Sequence, residues 1–247
     1  GLAGQVADQL VQRNDLPRLR PLAYRAVEED PGLAEEGSRQ AFLYLVSLED
    51  GAEKLSPETL DLVESVAPRL EADPRVAVLR LAAAREHVRR GEAASARSAV
   101  QAGLKASTED SPLVPDLWAC LASAERIAKK PDAALAAARK AVALGEKGPG
   151  WGRVTRMILL AETLAFAGDA GEARKTLDVA VRMAPEDPTA LARASALLVS
   201  LKDLPGAVDH ARRAVAATEG GDWRAQDALG EALAASGDTK GAAEAWA

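Results

Sequence analysis

The stretch AFAGDAGEARKTLDVAVRMAPEDP, residues 165–188, decides the fold. Gly168 is followed five residues later by Ala173, and then by Ala180 and Pro185. Apolar residues on both sides of Gly168 recur at steps of three and four, as amphipathic helices require. Glycine accepts the left-handed conformation that ends a helix, and proline stops the helix that follows. The stretch therefore predicts two short helices that pack closely through small residues.

The same spacing recurs along the chain. Ala207 lies 34 positions after Ala173, which is the period of a helix-pair repeat. We therefore expect a single array of seven helix pairs over residues 1–247, and we call the earlier and the later helix of each pair the A helix and the B helix. The predicted pairs, of which the second is irregular and the last truncated, are 1–33, 34–73, 77–110, 115–148, 154–187, 188–221 and 223–247.

Two segments depart from this spacing. Residues 34–73 predict two helices, Leu33–Leu48 and Pro57–Ala72, with a kink at Pro68 in the second. The segment GEKGPGWGR, residues 145–153, predicts a connecting loop. It lacks the glycine and lysine spacing of a phosphate-binding loop, and no strand pattern precedes it.

Several repeats in register carry a family resemblance. Trp118 is followed by Leu121 and Ala122, and Leu229 by Gly230, ahead of alanine-rich second helices. This resembles the tetratricopeptide repeat pattern W-x2-L-G-x2-Y, then A-x3-F, then P, although Glu125 stands where the tyrosine is usual. The resemblance implies an all-α, right-handed α-solenoid of about seven antiparallel helix pairs. It also implies that A helices line a concave face and B helices a convex face.

Composition narrows the function. The 247 residues are 48% hydrophobic but only 3% aromatic, so close backbone packing replaces bulky rings. A net charge of −6 gives no broad basic field, and we expect no nucleic-acid partner. The longest apolar run is too short to span a bilayer, so we expect no direct membrane insertion. No signal peptide is visible, and the sequence starts at Gly1 rather than methionine, which predicts a fragment or a cloning scar. We favour a soluble, cytoplasmic location over a periplasmic one.

The sequence offers little chemistry. His87 and His210 fall in different repeats, and neither has cysteines or carboxylates near it at metal-ligand spacing. Cys120 lies in an alanine-rich helix and predicts a buried structural thiol rather than a nucleophile. We therefore expect no metal, no cofactor and no enzyme activity within these residues.

Recognition of a protein or peptide partner remains. In the family that the chain resembles, one stripe of the A helices holds the partner. Transferring that stripe to this sequence predicts a face that is basic in the middle and acidic toward the C-terminus, formed by Arg85, Arg89, Asp116, Ser123, Arg126, Thr155, Glu162, Arg193, Asp227 and Glu231.

Three functions stay open at this point. The first is a non-catalytic scaffold or adaptor in a larger bacterial assembly for motility, pilus formation, secretion or envelope biogenesis. The bacterial origin is inferred from the Ala/Arg-rich, Lys-poor composition. The second is the accessory, recruiting array of a larger enzyme such as a glycosyltransferase or a kinase. The third is a self-assembling scaffold that associates end to end, because Trp246 lies in a helix at the end of the sequence.

Overall fold

The protein is all-α in the computed structural model, which describes residues 2–13, 15–52, 54–70, 75–108, 110–147 and 150–247. Within these ranges there are fourteen α-helices, two 3₁₀ turns and no strand. The helices are α1 Leu2–Gln12, α2 Leu16–Glu29, α3 Glu36–Gly51, α4 Pro57–Val66, α5 Val76–Arg89, α6 Ala93–Ala106, α7 Val114–Ile127, α8 Pro131–Leu144, α9 Gly150–Phe166, α10 Ala170–Met183, α11 Pro188–Ser200, α12 Leu204–Ala217, α13 Trp223–Ser236 and α14 Thr239–Ala245.

The chain divides into two compact units. The N-terminal unit, Gly1–Lys129, holds α1–α7, and the C-terminal unit, Lys130–Ala247, holds α8–α14. In each unit, sequential helices pack side by side, except that α4 packs on α5 rather than on α3, and each A helix also packs on the next A helix of that unit. This order is α1, α3, α5 and α7 in the N-terminal unit and α9, α11 and α13 in the C-terminal unit.

Small side chains set the spacing in the C-terminal unit. Ala161, Ala173 and Ala180 are fully buried, as the periodicity predicts. Gly168 adopts φ +90° just after α9, and its N–H donates to the carbonyl of Ala165 at 3.0 Å. Because only a residue with positive φ closes the helix in this way, the predicted glycine C-cap is confirmed.

The N-terminal unit has a bulkier core. Phe42, Val46 and Leu55 are fully buried in one cluster that extends to Leu117 on α7. A second cluster joins α1, α2 and α3 around Leu19 and is also fully buried there. Larger side chains therefore take the place of the alanines that dominate the C-terminal unit.

The irregular segment differs from its prediction. The first helix begins at Glu36 rather than Leu33, because Leu33 adopts φ +47° and fills the core from a turn. The second helix stops at Val66, and Ala67–Leu70 form a 3₁₀ turn. Pro68 has no N–H to continue the helix, so the expected kink is a change of helix type. Residues 71–73, where this prediction ended, lie outside the described residues.

The predicted connecting loop is also partly wrong. Gly145–Lys147 form a 3₁₀ turn, and α9 already begins at Gly150. Gly152 is buried beneath the guanidinium of Arg156, whose Nη1 would lie 3.0 Å from a Cβ at this position. Packing against Arg156 therefore outweighs the poor helix propensity of glycine. Residues 148 and 149 of the segment lie outside the described residues.

Candidate functional site

All ten residues of the predicted face lie on A helices. None of them is buried. Four are exposed, namely Arg89, Thr155, Asp227 and Glu231. The other six are half-buried and lie nearer the seams between neighbouring A helices: Arg85, Asp116, Ser123, Arg126, Glu162 and Arg193.

An ion-pair row crosses the A helices of the N-terminal unit. Arg85 on α5 donates Nη1 to Asp50 on α3 and Nη2 to Asp116 on α7, the latter at 3.1 Å. Burial acts most strongly, to lower the pKa of Arg85, but the charge and hydrogen bond of Asp50, the Cys120 thiol and the charge of Asp116 together outweigh it, so the pKa is raised. The expected basic middle of the face is thus opposed by two carboxylates at this position.

The thiol of Cys120 lies close to this row. Cys120 is 8% exposed, and burial raises its pKa to about 12, although the nearby Arg85 cation acts in the opposite direction. A thiol with this pKa is neutral near pH 7 and is a poor nucleophile. The prediction of a buried structural thiol is confirmed.

Arg89 shares a buried carboxylate with its neighbour on α5. Glu86 accepts from Arg90 at 2.7 Å, pairs with Arg89 at 2.8 Å and accepts the backbone N–H of Leu55 at 3.2 Å. Burial acts to raise the pKa of Glu86, but the hydrogen bond from Arg90 and the charge of Arg89 lower it overall. This cluster ties the turn before α4 to α5.

Ser123 and Arg126 complete the face on α7. The Oγ of Ser123 donates to the carbonyl of Ala119 at 3.2 Å, one turn back on the same helix. Arg126 is half-buried near the C-terminal end of α7.

The C-terminal unit carries a shorter version of the same arrangement. Arg193 on α11 donates to Glu162 on α9 at 2.7 Å through Nη2 and at 3.1 Å through Nε. On α13, the Oδ1 of Asp227 accepts from the indole Nε1 of Trp246 at 3.1 Å. Thr155 and Glu231 project from α9 and α13 at exposed positions. In this unit, the structure thus brings two residues of the predicted face, Arg193 and Glu162, into direct contact.

The two histidines contact side chains of the protein, and His87 links neighbouring helices. The Nδ1 of His87 lies 2.7 Å from Glu92, and its Nε2 lies 2.8 Å from Glu64 on α4. The ring is 6% exposed, so it links α4, α5 and the start of α6. His210 lies 3.5 Å from Asp209 on its own helix. Across the part of the chain that the structure describes, no group of His, Cys, Asp and Glu is arranged to hold a metal.

The sequence did not predict which residues pair with the arginines of the N-terminal unit. Asp50 lies in the irregular segment, where no repeat register could assign it to the same face as Arg85. Arg20 on α2 donates to the buried carboxylate of Glu49 at 2.7 Å, and Glu49 also accepts the N–H of Ser56 at 2.9 Å. A charged residue at an otherwise apolar position of α3 was the only signal for this contact.

No described helix is both long and apolar enough to cross a bilayer.

Comparison with known proteins relates the helix pairs to solved structures. No protein-family model matches the chain, and no curated protein matches it either. A tetratricopeptide repeat protein from Parabacteroides merdae superposes with a TM-score of 0.68 at 14% identity, over 99% of this chain and 91% of that one. PilF of Pseudomonas aeruginosa gives a TM-score of 0.57 at 17% identity, over 93% and 96%.

A third match is a larger protein. A chain of the Cut9–Hcn1 hetero-tetramer of the APC/C gives a TM-score of 0.60 at 16% identity over 97% of this chain, which spans 44% of that protein's length. Identities this low establish the fold. The helix pairs, their small-residue seams and these superpositions together identify the chain as an all-α protein with the tetratricopeptide repeat fold.

Proposed function

We propose that the chain is a non-catalytic scaffold that binds a protein or peptide partner on the exposed face of its A helices. The observation that carries the proposal is the charge on the A helices of each unit: Arg85 between Asp50 and Asp116 in the N-terminal unit, and Arg193 on Glu162 in the C-terminal unit. No thiol or histidine of the described residues is arranged for nucleophilic or metal chemistry.

Paired charges favour recognition for a physical reason. An arginine already held by carboxylates loses little side-chain freedom when a partner binds, so less binding free energy is spent on ordering it. The carboxylates of the row also keep lone pairs that can accept hydrogen bonds from a partner. Exposed ion pairs contribute only about 0–1 kcal/mol each, so this face governs specificity and association rate more than affinity.

The proposal extends to the assembly to which the chain belongs. We place the chain in a bacterial assembly, with motility, pilus formation, secretion and envelope biogenesis as the settings to test. The Cut9–Hcn1 hetero-tetramer is a multi-protein assembly in which a chain of this fold takes part. The assembly, the partner and the remainder of any longer protein are parts of the proposal.

The test is capture of partners on the immobilised chain, followed by affinity measurement with face variants. Arg126→Glu and Glu231→Lys reverse one charge on the A-helix face of each unit. We expect each to weaken partner binding, by up to about fivefold for an exposed charge, with a steeper loss at low salt. Arg85→Glu is unsuitable, because it would break two ion pairs as well as change the face.

Matched controls come from the B helices. Arg25 and Glu28 on α2 and Arg139 on α8 are exposed. Arg25→Glu and Arg139→Glu match the charge change of Arg126→Glu away from the face, and Glu28→Lys matches that of Glu231→Lys. These controls should leave the dissociation constant unchanged. Equal weakening by face and control variants would contradict the assignment of the face, and failure of every captured protein to bind the purified chain would contradict the scaffold function.

A further inference from the structure

A cleft of about 200 Å³ opens in the N-terminal unit away from the residues of the A-helix face. It is lined by Ala67, Val76, Arg80, Ala102, Lys105 and Ala106, which belong to the 3₁₀ turn after α4, to α5 and to α6. The cleft exists because α4 ends early, at Val66 before Pro68, and because the side chains on three sides are alanine methyl groups. Its walls are partly apolar, and its two long side chains are cationic.

Neither cation of the cleft has an acidic partner among the described residues. Arg80 is half-buried and Lys105 is exposed, and neither makes a hydrogen bond or an ion pair with any described residue. This is unusual for the arginines of the unit, since Arg20, Arg85, Arg90 and Arg97 all bind carboxylates. A half-buried guanidinium without a carboxylate keeps its donors available for an anion.

The Arg80 side chain starts close to the backbone of α6. Its Cβ would lie 3.2 Å from a Cβ at Gly103, so the stem runs directly over the backbone of α6 at this glycine. That close approach places the start of the Arg80 side chain beside α6, and both Arg80 and Lys105 line the same cleft. A positioned guanidinium binds the two oxygens of a carboxylate or a phosphoryl group in parallel.

We propose that this cleft is a binding site for a small anionic group, a carboxylate or a phosphoryl group on a short apolar stem. Arg80 supplies the paired donors, Lys105 adds a second positive charge, and Ala67, Ala102 and Val76 contact the stem. The volume is sufficient for such a group and a few methylenes, and the partly apolar walls strengthen its attraction to Arg80 relative to open water. The site is separate from the partner-binding face and does not depend on it.

The test is titration of the full ¹⁵N-labelled chain with sodium phosphate and, separately, with sodium acetate, against sodium chloride at equal ionic strength. We expect saturating amide shifts at Val76, Ala102 and Ala106 with at least one of the two anions. Saturation by phosphate alone assigns a phosphoryl ligand, and saturation by acetate alone assigns a carboxylate. Shifts that fail to saturate, or that chloride reproduces, would overturn the site.

Variants separate the site from general charge. Arg80→Gln should raise the dissociation constant at least about tenfold, and Arg80→Lys should restore only part of the affinity, because lysine lacks the paired donors. Lys105→Gln, at an exposed position, tests the site without disturbing the fold and should weaken binding about threefold. Arg212→Gln, an exposed arginine of the C-terminal unit, is the control and should change nothing. Equal affinities for all four variants would refute the proposal.

Discussion

The two units solve the same packing problem with different chemistry. The comparison concerns one position of the A helices, which lies three residues after the small residue in the middle of the helix. The N-terminal unit has His87 and Glu125 at this position, whereas the C-terminal unit has Leu164, Leu198 and Leu233. His87 lies between two glutamates, and Glu125 is held by Arg97 at 2.7 and 3.0 Å. The three leucines are simply buried. The position must be filled, and either an apolar side chain or a polar side chain with its partners in place fills it.

The strongest test of this comparison is to place a charge where the C-terminal unit has none. Leu164 is 2% exposed, and Leu164→Glu would bury a carboxylate and remove apolar contacts. We expect a loss of about 3–5 kcal/mol in the free energy of unfolding, measured by urea denaturation at pH 7. Part of this loss should be recovered at pH 4, where the carboxyl is protonated.

Leu164→Met is the control, because it keeps volume and apolarity and should cost less than about 1.5 kcal/mol. If Leu164→Glu cost no more than the methionine variant, an unpaired charge would be tolerated at this position. The different side chains of the two units at this position would then make no difference to the free energy of unfolding.

The reverse exchange tests the N-terminal unit. Glu125→Leu removes a carboxylate that is 7% exposed and leaves Arg97, which is 29% exposed, without its partner. We expect a loss of about 2 kcal/mol, smaller than for a fully buried pair because water reaches Arg97. Adding Arg97→Leu should recover most of this loss, since apolar side chains of similar size replace buried ion pairs at little cost. A double variant less stable than Glu125→Leu would contradict this account.

The sequence predicts the helices and their close packing, but it does not predict which side chains pair. The glycine and alanine spacing around Gly168 and Ala173 predicts helices correctly, because close helix approach depends on small residues alone. The partners of Arg85 do not follow from spacing, because Asp50 belongs to a segment in which Pro68 and the turn at Leu33 break the repeat. The contact of Trp246 with Asp227 likewise depends on where a long side chain folds back.

The units also differ in how their helices begin. In the C-terminal unit α10 to α14 all have an aspartate N-cap whose side chain accepts a backbone N–H, for instance Asp203 from Gly206 at 3.2 Å. In the N-terminal unit such caps occur on α2 and α4, whereas α3, α5, α6 and α7 have no side-chain cap. The C-terminal unit therefore gains local helix stability where the N-terminal unit relies on ion pairs between helices.

This difference predicts a loss and a matching gain. Asp203→Ala should cost about 1 kcal/mol, because one N–H at the start of α12 loses its acceptor. Lys130 precedes α8 with φ −113° and ψ 81°, close to the −96° and 73° of Asp203, but gives no side-chain cap. Lys130→Asp should therefore stabilise the protein by about 0.5–1 kcal/mol. Thermal unfolding of both variants checks the pair, and a destabilising Lys130→Asp would show that this backbone cannot accept the cap.

The smallest effect concerns how the A helices end, and here the units agree. Gly91, Gly168 and Gly237 follow their helices with positive φ, and Lys129 and Lys202 take the same role with φ 56° and 61°. A left-handed lysine costs about 1 kcal/mol relative to glycine, while glycine loses more entropy on folding. We expect Lys202→Gly and Lys129→Gly each to raise the free energy of unfolding by about 0.5 kcal/mol, and Gly168→Lys to lower it by about 1 kcal/mol, measured by urea denaturation. A loss of stability in Lys202→Gly would mean that the lysine stem makes contacts worth more than the backbone strain, and the helix end would then be fixed by the side chain rather than by φ.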